Sequence, residues 1–198
     1  MAASRRIIVE RGAKLIVDGA VIKGICNDPW NGIQVWGNSN KNQSAVAGNG
    51  YPEQGQVELY NATIMDAEKA VFAGYELPAP PGGGQSASDF NGGIIIADNT
   101  TFKNSCTALE FNTYSYDSYS GCTECSFIFD NGCSIDGVEF KDFVHLTGYS
   151  ELEIFGCDFV NYSTDINGAE ELGKGIYCMD SGLDIEGTCL GQYTTNGC

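Results

Sequence analysis

The chain has 198 residues, 42% of them hydrophobic, and its 10 basic and 26 acidic side chains give a net charge of −16. This composition is typical of a folded chain and not of a disordered one. The excess of negative charge disfavours binding to nucleic acid or to an anionic membrane surface. No apolar run is long enough to span a membrane. The expected partners are cations, neutral glycans or basic proteins.

A repeat runs through the chain, anchored on six large apolar residues: Ile22, Ile64, Phe102, Phe140, Phe159 and Leu190. Seven and five residues before each anchor stand two apolar residues, which predicts a strand with both side chains facing inward. Three residues before each anchor stands Gly or Asn, the residue types that best tolerate a left-handed backbone. These predicted bends are Gly19, Asn61, Asn99, Gly137, Gly156 and Gly187.

Each copy of the repeat predicts a strand, a bend, a short strand with the anchor, a polar bend and a third strand. The predicted third strands are residues 32–36, 70–72, 108–111, 144–146 and 175–178. Such coils stack into an all-β, right-handed parallel β-helix of about six coils. A β-sandwich would also contain short alternating strands. It gives no reason for Gly or Asn at one fixed offset, so the β-helix is favoured.

The uneven spacing of the anchors predicts long inserted loops at residues 37–54, 73–92, 112–127 and 163–174. Long loops on a rigid scaffold are where binding is often located. No domain boundary is visible, so residues 1–198 are expected to form one β-helix segment. The start at Met1 and the stop at Cys198, partway through a repeat, predict that it belongs to a larger parent chain.

Residues 12–20, 30–37, 93–104 and 155–161 carry a resemblance to a known class of protein. They resemble the right-handed β-helix regions of large secreted and cell-surface proteins of Bacteroidetes-type bacteria, and the resemblance covers nearly all of the chain. It implies the pectate-lyase-like superfold and an extracellular or cell-surface location. It implies no activity, because catalysis on this superfold depends on the individual site.

Nine cysteines are many for a chain of this length and favour an oxidising compartment with disulfides. The odd number leaves at least one of them unpaired within the segment. Cys122 and Cys125, followed by Cys133, resemble half of a zinc site. The alternatives, a disulfide in a loop or buried thiols, are favoured, and no metal is expected there.

The outward positions of the first strands predict one face rich in carboxylates. Paired by coil, they are Ile16/Asp18, Glu58/Tyr60, Ile96/Asp98, Ser134/Asp136, Glu153/Phe155 and Asp184/Glu186. Two of these carboxylates, if about 5–10 Å apart, could serve a glycoside hydrolase. The alternative, an acidic face that is only solvated, is favoured. No cofactor is expected. The alternative is calcium held by stacked carboxylates, either Asp98 with Asp136 or Asp184 with Glu186.

His145 is the only histidine, so any Ser-His-Asp or Cys-His mechanism would have to use it. Its apolar neighbours predict a structural or exposed strand residue instead. The polygalacturonase motifs are absent. The predicted function is therefore a non-catalytic, extracellular, structural and adhesive scaffold whose loops contact a glycan or a protein. The alternative is a fragment of a polysaccharide-active enzyme, a glycoside hydrolase or lyase, that uses the acidic face.

Aromatic side chains are the candidate contact residues, because their faces suit both sugar stacking and protein contact. The candidates are Trp30, Trp36, Tyr51, Tyr60, Tyr75, Tyr114, Tyr116, Tyr119 and Phe155. Each of them would alternatively pack a loop against the wall of the solenoid.

Overall fold

The computed structural model describes residues 5–24, 30–76, 84–130, 140–162 and 173–187. In chain order the strands are β1 (Ile7–Val9), β2 (Lys14–Asp18), β3 (Val21–Lys23), β4 (Ile33–Val35), β5 (Gln56–Tyr60), β6 (Thr63–Met65), β7 (Lys69–Ala73), β8 (Ile94–Asp98), β9 (Thr101–Lys103), β10 (Thr107–Phe111), β11 (Gly121–Thr123), β12 (Ser126–Phe129), β13 (Asp142–Thr147), β14 (Leu152–Phe155), β15 (Asp158–Asn161), β16 (Lys174–Met179) and β17 (Leu183–Glu186). One turn of 3-10 helix spans Ala87–Phe90. Within these ranges, no helix is long and apolar enough to cross a membrane.

The strands form three parallel sheets, which the chain visits in rotation. Sheet 1 has the order β2-β5-β8-β11-β14-β17, sheet 2 has β3-β6-β9-β12-β15, and sheet 3 has β1-β4-β7-β10-β13-β16. Each strand pairs in parallel with the equivalent strands of the neighbouring coils, so the backbone hydrogen bonds run between coils. The predicted all-β parallel β-helix is confirmed. The predicted third strands coincide with β4, β7, β10, β13 and β16.

Four of the predicted bends between sheet 1 and sheet 2 have the left-handed backbone, whereas Gly187 differs, with φ of 150°. The dihedral φ is 63° at Gly19, 50° at Asn61, 47° at Asn99 and 62° at Gly156. Gly avoids the steric penalty of this region and Asn tolerates it. These residues therefore turn the chain sharply while the apolar residues on either side continue to face the core.

The fourth copy of the repeat was assigned wrongly from the sequence. Its anchor is Phe127 and not Phe140, because β12 places Phe127 in register between Phe102 and Phe159. The Phe127 ring stacks on both neighbours, with centroids 5.0 Å and 4.7 Å away. Phe140 is also buried but belongs to no strand.

The error has a local physical cause. The bend before Phe127 is made by Glu124, with φ of 51°, so a search for Gly or Asn passes over it. Residues 112–127, predicted to be an inserted loop, contain β11 and the start of β12. The predicted bend Gly137 and the predicted anchor Leu190 lie outside the described residues.

Candidate functional site

A groove of about 490 Å³ lies on the outward face of sheet 1. Its floor comes from β8, β11, β14 and β17, and its wall comes from residues 118–120, which immediately precede β11. The groove therefore lies on the face of sheet 1 that was predicted to be rich in carboxylates.

The floor is formed by one row of register partners. Ile96 pairs with Gly121, Gly121 with Glu153, and Glu153 with Asp184. Gly121 contributes no side chain, which leaves a depression between its two neighbours. A Cβ atom at Gly121 would lie 3.3 Å from the Glu153 carbonyl oxygen and would occupy that space. Glu153 and Asp184 are register partners on adjacent coils, so their backbones lie about 4.8 Å apart.

A second row of register partners runs from Tyr60 to Asp98, Thr123 and Phe155, and the first three of these residues line the groove. Partial burial, together with the neighbouring Glu58 carboxylate, raises the pKa of the Tyr60 hydroxyl above its ordinary value. Thr123 occupies the place next to Asp98 that was predicted for Asp136. The predicted stacking of Asp98 with Asp136 is therefore wrong, and Asp136 itself lies outside the described residues.

A buried tyrosine, Tyr149, forms hydrogen bonds to the wall of the groove. Tyr149 is 1% exposed, and its hydroxyl lies 2.8 Å from Ser118 Oγ and 3.1 Å from Ser120 Oγ. Ser120 Oγ also accepts a hydrogen bond from the backbone N–H of Ile95 at 3.1 Å. These contacts fix the wall against the sheet.

A second set of contacts ties the wall to the loop of residues 38–45. The backbone N–H of Tyr119 donates to Gln43 Oε1, and Gln43 Nε2 donates to the Gly92 carbonyl at 3.1 Å. The hydroxyls of Tyr114 and Tyr116 donate to the carbonyls of Lys41 and Asn40. Residues 114–119 are therefore held in place by these hydrogen bonds, while the Tyr119 side chain remains 57% exposed at the groove.

Four of the predicted aromatic contact residues are buried: Trp30, Trp36, Tyr75 and Tyr114. Trp30 Nε1 donates to the Met65 carbonyl at 2.9 Å. Trp36 and Tyr75 form a small cluster with Phe90, on which the Arg11 guanidinium lies 4.5 Å from the ring centre. These side chains pack loops against the solenoid and offer no free face to a ligand.

The other five candidates reach the surface. Tyr60 and Tyr119 line the groove. Tyr51, Tyr116 and Phe155 are exposed but do not line it. The structure therefore brings together two of the nine predicted aromatic residues, along with Asp98, Glu153 and Asp184 of the predicted acidic face.

Sequence reasoning missed Gly121, Ser118, Ser120 and Glu151, which also line the groove. All but Glu151 fall in the misassigned fourth copy. The spacing of Ser120 and Cys122 before Phe127 was the available signal, but Ser120 is polar, whereas the equivalent residues of the other copies are apolar.

Cys122 and Cys125 are not in a loop. Cys122 lies in β11, Cys125 follows the Glu124 bend, and both are buried free thiols, at 2% and 1% exposure. The loop disulfide is therefore absent from this structure and the buried-thiol alternative fits. Cys133, the third member of the predicted half zinc site, lies outside the described residues. In the described part of the chain, no group of three His, Cys, Asp or Glu side chains is arranged to hold a metal ion.

His145 lies away from the groove, on the outward face of sheet 3. Its Nδ1 is 2.9 Å from Asp142 Oδ2, its Nε2 is 3.3 Å from Thr147 Oγ1, and its ring stacks on Tyr177. The side chain is 28% exposed. It lines no part of the groove.

Comparisons of the chain with family models, with curated proteins and with solved structures found no match.

Proposed function

We propose that this chain is a non-catalytic scaffold of an extracellular or cell-surface protein, and that it binds a glycan in the groove on sheet 1. The observation that carries the proposal is the depression at Gly121, bordered by the exposed Tyr119 ring and by the carboxylates of Glu153 and Asp184. Aromatic faces stack on sugar rings, and carboxylates accept hydrogen bonds from sugar hydroxyls.

The hydrogen bonds that fix residues 118–120, the wall of the groove, support this proposal. A groove whose wall is held by Tyr149 and Gln43 needs little ordering when a ligand binds, and less affinity is lost to conformational entropy. The repeat also supports a scaffold, because a stack of coils makes a long, stiff body on which a binding surface is held at a fixed orientation.

The charge of the groove narrows the class of glycan. Asp98, Glu151, Glu153 and Asp184 line it, and no basic side chain does so in the described part of the chain. A uronate or sulfated chain would be repelled. A neutral glycan or one with protonated amino groups fits this surface.

Calorimetric titration with three kinds of oligosaccharide tests the proposal: neutral β-linked glucans, chitosan oligomers and oligogalacturonates. We expect binding of a neutral or amino-sugar oligomer and none of the oligogalacturonate. Tyr119→Ala should weaken binding at least tenfold, while Tyr51→Ala, which removes an equally exposed tyrosine elsewhere, should not. Binding that is unchanged in Tyr119→Ala, or no binding of any oligosaccharide, would contradict the proposal.

A second candidate function is hydrolysis of a polysaccharide, favoured by one observation. Glu153 and Asp184 are register partners in the groove, at a backbone spacing near the 5–5.5 Å carboxyl separation of retaining glycosidases. The same oligosaccharides, incubated with the protein and assayed for new reducing ends, separate the two functions. If the wild-type protein releases new reducing ends and Glu153→Gln does not, hydrolysis would replace glycan binding as the proposed function.

A further inference from the structure

Three thiols meet at the corner between sheet 1 and sheet 2. Cys122 is in β11, Cys125 follows the bend, and Cys157 belongs to the next coil. Ser126 pairs in register with Asp158, and Cys125 and Cys157 are the residues immediately before this pair. These two cysteines therefore occupy the same inward position on consecutive coils.

The spacing of this pair suits a covalent bond. Equivalent residues of adjacent parallel strands are about 4.8 Å apart, inside the 4.4–6.8 Å range of Cα separations that disulfides span. Cys157 Sγ accepts a hydrogen bond from the backbone N–H of Cys125 at 3.3 Å. Cys125 Sγ donates to the Thr123 carbonyl at 3.3 Å, and Cys157 Sγ donates to the Cys122 carbonyl at 3.5 Å. Both sulfur atoms therefore lie beside the same bend of the fourth coil.

We propose that Cys125 and Cys157 form a disulfide that joins the fourth coil to the fifth when the chain folds under oxidising conditions. The oxidant is a disulfide of low molecular weight or of an oxidoreductase. One cysteine thiolate attacks a sulfur of that disulfide, forming a mixed disulfide and releasing one thiolate. The second cysteine thiolate then attacks the protein sulfur of the mixed disulfide and releases the other thiolate. Two protein thiols are oxidised and one disulfide is reduced to two thiols.

The bond forms while the coils are still assembling. Hydrogen bonding to Cys122, with burial, raises the pKa of the Cys125 thiol to about 12, and contact with Cys125, with burial, raises the pKa of the Cys157 thiol. At neutral pH the folded protein therefore holds almost no thiolate at Cys125 or Cys157, and the thiolate is the species that reacts. Folded reduced protein is oxidised slowly, whereas a chain in which the fifth coil has not yet docked is oxidised readily.

The position of this bond matters for the groove. Gly121 and Glu153, the two central residues of the groove floor, belong to the same two coils. A covalent link at the corner fixes the separation of these coils at the bend that follows the floor strands β11 and β14, and it closes a loop of about thirty residues in the unfolded chain. The inference does not depend on what the groove binds.

The repeat supplies matched control variants. Alanine occupies the position of Cys125 and Cys157 in two other coils, as Ala20 and Ala62, and Ala97 is the register partner of Cys122. The test uses the full chain and its Cys122→Ala, Cys125→Ala and Cys157→Ala variants, each refolded with either oxidised or reduced glutathione. Free thiols are then alkylated in denaturant, and the unreduced protein is digested and analysed by mass spectrometry.

We expect a Cys125–Cys157 cross-linked peptide in the oxidised wild-type chain and in Cys122→Ala. Reduction should lower the urea midpoint of these two proteins more than that of Cys125→Ala or Cys157→Ala. A Cys122–Cys125 link, free thiols at both Cys125 and Cys157 after oxidation, or an equal effect of reduction on all three variants would overturn the proposal.

Discussion

The rings of Phe127 and Phe159 stack face to face, with centroids 4.7 Å apart and planes 7° apart. Phe102 continues the stack on the other side of Phe127. Phe127 is fully buried, so it is surrounded by the core and by equivalent residues of both neighbouring coils. This stack connects three consecutive coils through the interior of the solenoid.

We expect Phe127→Ala to lower the free energy of unfolding by about 3–5 kcal/mol, because it removes a buried ring and leaves a cavity. Phe155→Ala is the control: this ring is 42% exposed on the outward face, and its loss should cost less than about 1 kcal/mol. Urea denaturation of both variants measures the difference. Equal losses in the two variants would show that Phe127 is not the anchor of its coil.

Gly156 lies at a bend with φ of 62°, and a Cβ atom there would meet nothing closer than Glu124 Cγ at 3.6 Å. Any cost of substitution is therefore backbone strain and not a clash. Gly156→Val should destabilise the protein by about 1–3 kcal/mol. Gly156→Asn should cost much less, because Asn61 and Asn99 hold this position in other coils. Thermal unfolding of the two variants decides the point, and equal melting temperatures would contradict it.

Asp66 is 3% exposed, and its Oδ1 has no hydrogen-bond partner. Burial raises the pKa of this carboxyl group above its value in the unfolded chain, so the contribution of Asp66 to stability falls as the pH rises through the folded-state pKa. Asp66→Asn removes the charge and keeps a residue type that tolerates the φ of 57° found here. It should stabilise the protein by about 1–3 kcal/mol at pH 7.

The advantage of Asp66→Asn should disappear below about pH 3.9, where the carboxyl group is protonated in both the folded and the unfolded chain. Asp180→Asn serves as control, because Asp180 has a similar φ of 51° but is exposed. Stability measured by urea titration between pH 3 and pH 8 tests the prediction. A stabilisation that does not change with pH would contradict the role assigned to the charge.

Gln43 is 5% exposed and joins the groove wall to the body of the protein through the backbone N–H of Tyr119. We expect Gln43→Ala to speed hydrogen exchange at the Tyr119 amide about tenfold, which corresponds to about 1.4 kcal/mol, the net value of a buried hydrogen bond. The same variant should bind an oligosaccharide in the groove more weakly than the wild-type protein does. Asn42→Ala, at the exposed neighbouring position, should leave both quantities unchanged. Unchanged exchange in Gln43→Ala would show that the wall is held by other contacts.

The fold could be predicted from the sequence because its requirements are local. A left-handed bend needs Gly19 or Asn99 at one offset, and apolar alternation marks the strand before it. The fourth coil escaped detection because Glu124 adopts the same backbone without being Gly or Asn, and because the polar Ser120 stands where the other copies have an apolar residue.

The groove could be predicted only in part, because it depends on contacts between distant segments. The carboxylate face followed from strand alternation. The exposure of Tyr119 and the burial of Tyr114, five residues earlier, did not. Their orientations are set by hydrogen bonds to Gln43 and Lys41, more than seventy residues away in the chain. Composition and period carry no information about such contacts.

The groove exists because one coil has glycine where its neighbours have side chains, and because the segment leading into that coil stands beside the gap. Its lining nevertheless comes from five coils, and its wall is bonded to Gln43, in a loop two coils away. A coil exchanged as a unit, with Gly121 and its preceding segment, would therefore carry the gap along the axis but leave the wall without its hydrogen-bond partner. The cleft belongs to the stack of coils and not to one module.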